Sequence, residues 1–347
     1  MSSIAFTPLV EPSSNASPTP PASPFDSGMA YILAQCCGLT YSQLTNDSIT
    51  TADFSSIVLT GDYAGYTLSA SNLVAFTASE SIVPPEPTST TSATLGAGDY
   101  VTVQAGFGVE LTLTPATGSA TTIAVIALRG TKTFDEWLDD VEAFPVVFAP
   151  TLIPLNVDGQ GSAHAGVYAL YTIGKDGATV EAHDALSSTV SSRASGSLAY
   201  QVGSFITGLS SAMPLYVTGH SLGGALASYV ALDAAINFAS SYSTLAMYSF
   251  ASPRVAVGIS SIPTLDNQTM FVSSFQQSVP SSYQFVNAVD IVPILPALTT
   301  TIGPLTLSCL SVSVNTISFC AQTGDIGNNH SCLLTYIPYA AALANGF

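Results

Sequence analysis

The chain is expected to take an α/β fold, with a mostly parallel central sheet and helices on both faces. Three observations predict it. Pro214-Leu215-Tyr216-Val217 is short, apolar and β-prone, and Ser228 to Ile236 is rich in helix formers, so Thr218-Gly219-His220-Ser221-Leu222-Gly223-Gly224 between them is a strand-to-helix turn. A second strand-like run, Tyr283 to Val289, ends at Asp290, and parallel α/β sheets keep their sites just past strand ends. With 347 residues, 47% of them hydrophobic and 8% charged, the chain has material for one large core with insertions.

In chain order, residues 1–26 are rich in Pro, Ser and Thr and are expected to be a disordered tail, with a single domain over 27–347. Met29, Ile32, Leu33 and Cys36 repeat at helical spacing, which predicts a helix over Ser27 to Gln43. Residues 79–99 are a Pro/Thr/Ser loop, followed by strands near 100–113 and 122–128. Thr133 and Glu136 form a capping-box pattern that opens a helix near 134–143. That helix carries Phe134, Trp137, Leu138 and Val141 on one stripe and five acids on its other face. Residues 187–197 are a polar loop before the helix that leads to the 214–217 strand, and 256–282 is an insertion. The stretch from Cys332 to Phe347 is apolar but short and contains Pro338, so it is a packed terminal helix and not a membrane span.

The turn has the pattern Gly-x-Ser-x-Gly, which holds a serine on a strained corner with a helix N-terminus behind it. Ser221 is the candidate nucleophile, and the Leu222 N–H is a candidate oxyanion donor. In α/β-hydrolases the acid and then the histidine follow the serine in the chain. Of His164, His183, His220 and His330, only His330 does so. No Glu follows Ser221, which leaves Asp233, Asp266, Asp290 and Asp325 as acids before His330. Asp290 at its strand end is the expected acid, with Asp325 second, its other reading being a turn residue. Asp233 falls on the helix leaving the turn. His220 is expected to turn into the fold as a hydrogen-bonded structural residue, His164 to pack and His183 to be solvated. Arg129 and Arg254 are expected to be structural.

These motifs resemble the fungal-type, or class 3, lipases of the α/β-hydrolase fold. Thr218 to Ala227 is similar to the family's nucleophile elbow, Val125 to Thr131 to its strand ending in Arg-Gly-Ser/Thr, and Phe250-Ala251-Ser252-Pro253-Arg254-Val255 to its Phe-Gly-Ser-Pro-Arg-Val strand end. Asn287 to Pro296 resembles the segment carrying the triad Asp, and His164-Ala165-Gly166 a family His-x-Gly. The chain departs from the pattern at Ala251 and Ala256, where the family usually has Gly. It also has Leu333 where an aromatic often follows the His by three residues, with Tyr336 coming later. The resemblance implies Thr131 as second oxyanion donor beside Leu222, and the 132–145 segment as a movable lid whose apolar stripe meets lipid when open.

The expected function is therefore a serine ester hydrolase acting on neutral esters through Ser221, His330 and Asp290. Acylglycerols are the leading substrate, with the lipid–water interface as a place of action. Small or aryl (feruloyl-type) esters are the alternative, a phospholipase the third reading, and a catalytically silent binding protein the alternative of a different class. No cofactor or metal is expected: no Gly-x-Gly-x-x-Gly follows a strand, and no Cys/His spacing suits zinc. A formal charge of −17 with only five Lys and Arg excludes a basic surface for nucleic acid and gives little attraction to anionic headgroups. No ordinary signal peptide is legible, and the resemblance favours secretion. Five cysteines do not make a disulfide framework. Cys309 and Cys320 flank a hairpin-like stretch and are the pair that could bridge, while Cys36 and Cys37 read as buried thiols.

Overall fold

The computed structural model describes residues 7–8, 24–46, 48–81, 100–130, 151–154, 160–163, 165–180, 186–259, 268–296, 298–302 and 305–346. In chain order the strands are β1 (Thr7–Pro8), β2 (Thr67–Ser81), β3 (Tyr100–Thr114), β4 (Thr121–Leu128), β5 (Thr151–Pro154), β6 (Gln160–Ala163), β7 (Leu215–His220), β8 (Leu245–Phe250), β9 (Ala256–Ile259), β10 (Ser282–Asn287), β11 (Thr299–Ile302), β12 (Leu305–Leu310) and β13 (Asn315–Cys320). The helices are α1 (Ser27–Asn46), α2 (Ala165–Thr172), α3 (Leu198–Thr207), α4 (Leu222–Asn237), α5 (Gln268–Ser278), α6 (Ile326–His330) and α7 (Ile337–Ala344), with a π-turn over Cys332–Tyr336.

Among the described residues, the main sheet runs β1-β13-β10-β8-β7-β4-β3-β2. β4, β7, β8, β10 and β13 are mutually parallel, and β2, β3 and β1 are antiparallel at the edges. The parallel strands are apolar on both faces because helices cover both. Along β4, Ile123, Val125 and Ala127 pack on one side with α1, through Met29, Ile32, Leu33 and Cys36. Ala124, Ile126 and Leu128 pack on the other side with α3 and α4. The period-two alternation of a strand thus builds two cores from one apolar run. α4 is buried on nearly its whole surface, which is why its sequence shows little amphipathic pattern.

Register positions the site. Leu128 pairs with Gly219, His220 with Phe250, Phe250 with Phe285, and Asn287 with Phe319. The carboxyl ends of β4, β7, β8 and β10 therefore finish side by side, and the residues that follow them share one edge of the sheet.

Three expectations are corrected. Thr7–Pro8, inside the stretch expected to be disordered, pairs antiparallel with Cys320 and Phe319. An open sheet edge offers unpaired N–H and C=O groups to a neighbouring segment, so disorder does not hold for these two residues. Cys309 and Cys320 are free thiols. The stretch between them is not a hairpin. β12 pairs with β11 and β9 in a separate antiparallel sheet, β11-β12-β9-β6-β5, whereas β13 crosses to the main sheet beside β10. The 256–282 insertion contributes β9 to that second sheet and α5 beside it.

Asp233, on α4, is occupied elsewhere. It takes a bidentate ion pair from Arg193 at 2.7 and 2.8 Å, with both side chains out of solvent, plus hydrogen bonds from Tyr171 and Asn237. Removing one partner of a buried pair leaves the other charge uncompensated, at about 3–5 kcal/mol. Asp233→Asn is expected to lower the unfolding free energy by about that amount in urea titration. A loss below about 1 kcal/mol would mean that the guanidinium is not dependent on this carboxylate.

Candidate active site

The turn after β7 is built by sterics. Ser221 has φ 60° and ψ −131°, a conformation that side-chain-bearing residues adopt only where the surroundings enforce it. The enforcement comes from the two glycines. A Cβ on Gly219 would overlap the Gly223 carbonyl oxygen, and one on Gly223 would overlap the Leu128 carbonyl oxygen, so strand and helix approach closely only with glycine at both positions. The Ser221 N–H is fixed to the Phe250 carbonyl at 2.9 Å, and its side chain makes no capping bond to α4. Leu222 is the first residue of α4, so its N–H has no acceptor within the helix.

A second positive φ at a residue with a side chain occurs one strand over. Ala251, which stands where the resembling family usually has glycine, is buried and has φ 54°. Its N–H bonds to Phe285 across the sheet. Glycine tolerates this region without the cost that a Cβ brings, and here alanine carries that cost.

Asp290 lies three residues past β10, with its N–H on the Asn287 carbonyl at 2.9 Å. Its Oδ1 accepts the Val292 N–H at 2.9 Å. Its Oδ2 is 2.8 Å from His330 Nδ1 and accepts the Tyr336 hydroxyl at 2.6 Å. Asp290 and His330 are both buried. His330 ends α6, whose N-cap is Asp325. That exposed carboxylate accepts the Asn328 N–H at 2.8 Å as the helix cap. The two acid candidates therefore separate cleanly, one a partner of His330 and the other a helix cap.

His220 lies beside both groups. Its Nε2 meets the His330 carbonyl at 2.7 Å, its Nδ1 meets the Tyr41 hydroxyl at 2.8 Å, and its ring centroid is 4.7 Å from that of His330. Burial first, and then His330, hold it well below the ordinary histidine value of 6.5, so it is neutral. It is hydrogen-bonded within the fold, as expected. Arg254 donates to the carbonyls of Ile294 and Pro296, and its own N–H bonds Leu295, so it clamps the loop that follows Asp290.

Sequence reading missed two residues at this site. In the sequence Tyr336 stands out only as an aromatic displaced from the family's position. The π-turn over Cys332–Tyr336 carries its ring under Asp290, and burial first, then the carboxylate, push its hydroxyl far above the ordinary tyrosine value. It therefore stays protonated and donates. Asn287 joins three segments, donating to Ala321 and Asn329 and accepting from Ala321. No local signal distinguishes these residues from ordinary core positions. Asn329, at the head of a glycosylation sequon, is buried, and its side-chain oxygen accepts two bonds from Thr323.

Thr131, the lid residues Phe134, Trp137, Leu138 and Val141, and His164 and His183 lie outside the described residues. Among the described residues, no cluster of His, Cys, Asp and Glu is arranged to hold a metal ion, and no helix is long and apolar enough to cross a membrane.

A sequence profile described as lipase (class 3) matches residues 125–300, half of the chain. No curated protein matches it by sequence. Among solved structures, the chain is similar to a Rhizomucor miehei lipase–propeptide complex, at 17% identity over 89% of this chain and 77% of that one, with TM-score 0.38. It is also similar to a lipase from Rhizopus microsporus var. chinensis (15%, 89% and 84%, TM-score 0.39) and to lipase II from Rhizopus niveus (16%, 88% and 91%, TM-score 0.37).

Proposed function

The chain belongs to the class 3 lipase family, and from that premise we propose that it hydrolyses neutral carboxylic esters, acylglycerols foremost, through a Ser221–His330–Asp290 acyl-enzyme cycle. The observation that carries this reading is the buried Asp290–His330 bond. Through the His330 carbonyl it is tied to His220, the residue preceding the strained Ser221.

In the first half of the cycle, Ser221 Oγ attacks the ester carbonyl carbon while neutral His330 takes the hydroxyl proton through Nε2. The tetrahedral oxyanion is stabilised by the Leu222 N–H at the start of α4 and by Thr131. Collapse breaks the bond to the leaving alcohol, which receives the proton from His330. In the second half, water gives its proton to His330 and its oxygen to the acyl carbon, and Ser221 leaves with the proton returned. Asp290 accepts from Nδ1 throughout, which keeps the Nε2 lone pair turned to the serine and stabilises the imidazolium.

An apolar ester is favoured over a charged one. Val289, Ile291 and Ile294 flank Asp290, and Leu333 and Leu334 follow His330, all of them exposed. Aryl or short esters are the second reading, favoured by the five acids among residues 135–142, which suit a lipid surface poorly. In our reading, segment 132–145 covers the site in water and opens at an interface, because the stripe of Phe134, Trp137, Leu138 and Val141 costs about 25 cal/mol per Å² when exposed to water.

A chain-length series of p-nitrophenyl esters beside a triolein emulsion tests the choice. Turnover is expected to jump once the long-chain substrate forms droplets. Emission from Trp137, the only tryptophan, is expected to shift when the interface is added. Simple saturation through the solubility limit, with unchanged emission, would make the protein an esterase of soluble substrates.

A further inference from the structure

We propose that Tyr41 and His220 are positioning residues: together they hold the His330 segment and the loop after β4 at a fixed distance from Ser221. This rests on the hydrolase reading above and extends it to residues that take no part in the chemistry.

The direction of each hydrogen bond is set by elimination. The His330 carbonyl can only accept, so His220 Nε2 carries the ring proton. His220 is neutral, which leaves Nδ1 as a lone pair, so the Tyr41 hydroxyl donates to it at 2.8 Å. Gly130 lies against both the Tyr41 hydroxyl and Ser221 Cβ, so close that a side chain there would meet both. The result is a chain of hydrogen bonds in which every polarity is determined. It runs from the Tyr41 hydroxyl, packed against Gly130, to His220 and, through its far nitrogen, to the carbonyl of His330.

The attachment points make this more than the satisfaction of buried polar groups. Gly130 precedes the proposed oxyanion donor Thr131, His220 precedes the nucleophile, and His330 is the proposed base. The bonds span 179 and 110 residues, so no local backbone preference supplies them. The Tyr41 and His220 rings meet edge to face, with centroids 5.7 Å apart, so Tyr41 sets the tilt of a ring whose tautomer the His330 carbonyl has fixed. A neutral ring is also what the site needs at 4.7 Å from a base that becomes an imidazolium during turnover, since a second cation there would oppose that charge. α1, which otherwise only covers one face of the sheet, thereby sets the geometry of the active site through Tyr41.

The test uses the full chain, p-nitrophenyl butyrate as soluble substrate, and rates per active site titrated by the p-nitrophenol burst. In His220→Asn the side chain reaches Tyr41 but falls short of the His330 carbonyl. In His220→Gln the amide N–H reaches the Nε2 position. Displacing a reacting group by a fraction of an ångström to 1 Å costs about 10- to 100-fold. We expect His220→Asn to lose kcat by about that factor with KM within about twofold, His220→Gln to recover most of the loss, and Tyr41→Phe to lose about tenfold. Melting temperatures measured alongside separate folding from geometry. If His220→Asn does not fold, Tyr41→Phe carries the test. An unchanged kcat per titrated site in Tyr41→Phe overturns the proposal, as does equal kcat in the Asn and Gln variants. Ser221→Ala in the same assay distinguishes the failures: if it retains turnover, the hydrolase reading itself falls.

Discussion

Ser221→Ala and His330→Ala are each expected to lower kcat for a soluble ester by several orders of magnitude. What remains would be the roughly 10³- to 10⁴-fold acceleration over water that an oxyanion hole and substrate binding provide without a complete triad. The two losses should be similar in size and should not multiply in the double variant, because serine and histidine act as one unit. The variants differ in their cost to folding. The Ser221 hydroxyl makes no capping bond to α4, and alanine fits the same volume, so Ser221→Ala should melt near the wild-type temperature. His330→Ala removes a buried ring and leaves Asp290 with Tyr336 and Val292 as donors, so about 1–3 kcal/mol of stability should go with it. Circular dichroism and melting temperature establish that the folded protein is being assayed. Folded Ser221→Ala with near wild-type turnover and an undiminished burst would refute the mechanism.

Asp290→Asn is expected to lower kcat by about 10⁴-fold, whereas Asp325→Asn stays within about twofold of wild type. The reason lies in the hydrogen bonds around Asp290. Oδ1 faces a donor, the Val292 N–H, and Oδ2 faces two, Tyr336 and His330. An amide has only one oxygen. If that oxygen stays with Tyr336 and His330, the NH₂ group meets the Val292 N–H head on. If the amide flips, its NH₂ faces His330 Nδ1, which must then accept, and the proton moves to Nε2, the nitrogen that has to take the proton from Ser221. Either orientation damages the site. Asp325 has no such constraint. It caps a short helix from the surface, and Asn caps as well as Asp, so even stability should barely move. A crippled Asp325→Asn with an active Asp290→Asn would reverse the assignment of the acid.

Much of the fold and part of the site are legible in the residue order because their causes are local. Gly219 and Gly223 admit a turn that few other residues could make, and the close approach of Gly219 to the Gly223 carbonyl lies within four residues. The helix of Met29, Ile32, Leu33 and Cys36 and the strands ending at Leu128 and Asn287 follow from periodicity. His330 is the candidate base by elimination, since it is the one histidine after Ser221, and Asp290 is the candidate acid by its place after a strand. The rest was hidden by distance along the chain. The residues between Cys309 and Cys320 have the look of a hairpin, yet their two strands belong to different sheets. Nothing near Thr7 indicates that it will find Cys320.

The sequence by itself therefore determined the fold class, the strand-to-helix turn at Ser221, the order in which the proposed acid and base follow it, and the family to which the chain belongs. Only the tertiary structure decided that Tyr336 rather than residue 333 serves Asp290, that Asn287 binds the ends of β10 and β13 to the His330 segment, that Asp233 is consumed by Arg193, and that Tyr41 reaches His220 from α1. The division is physical. Steric limits and hydrophobic periodicity act over a few residues and leave a mark in local composition. The partner of a buried polar group is whichever complementary atom the packing of distant segments brings within about 3 Å, and local composition does not record that meeting.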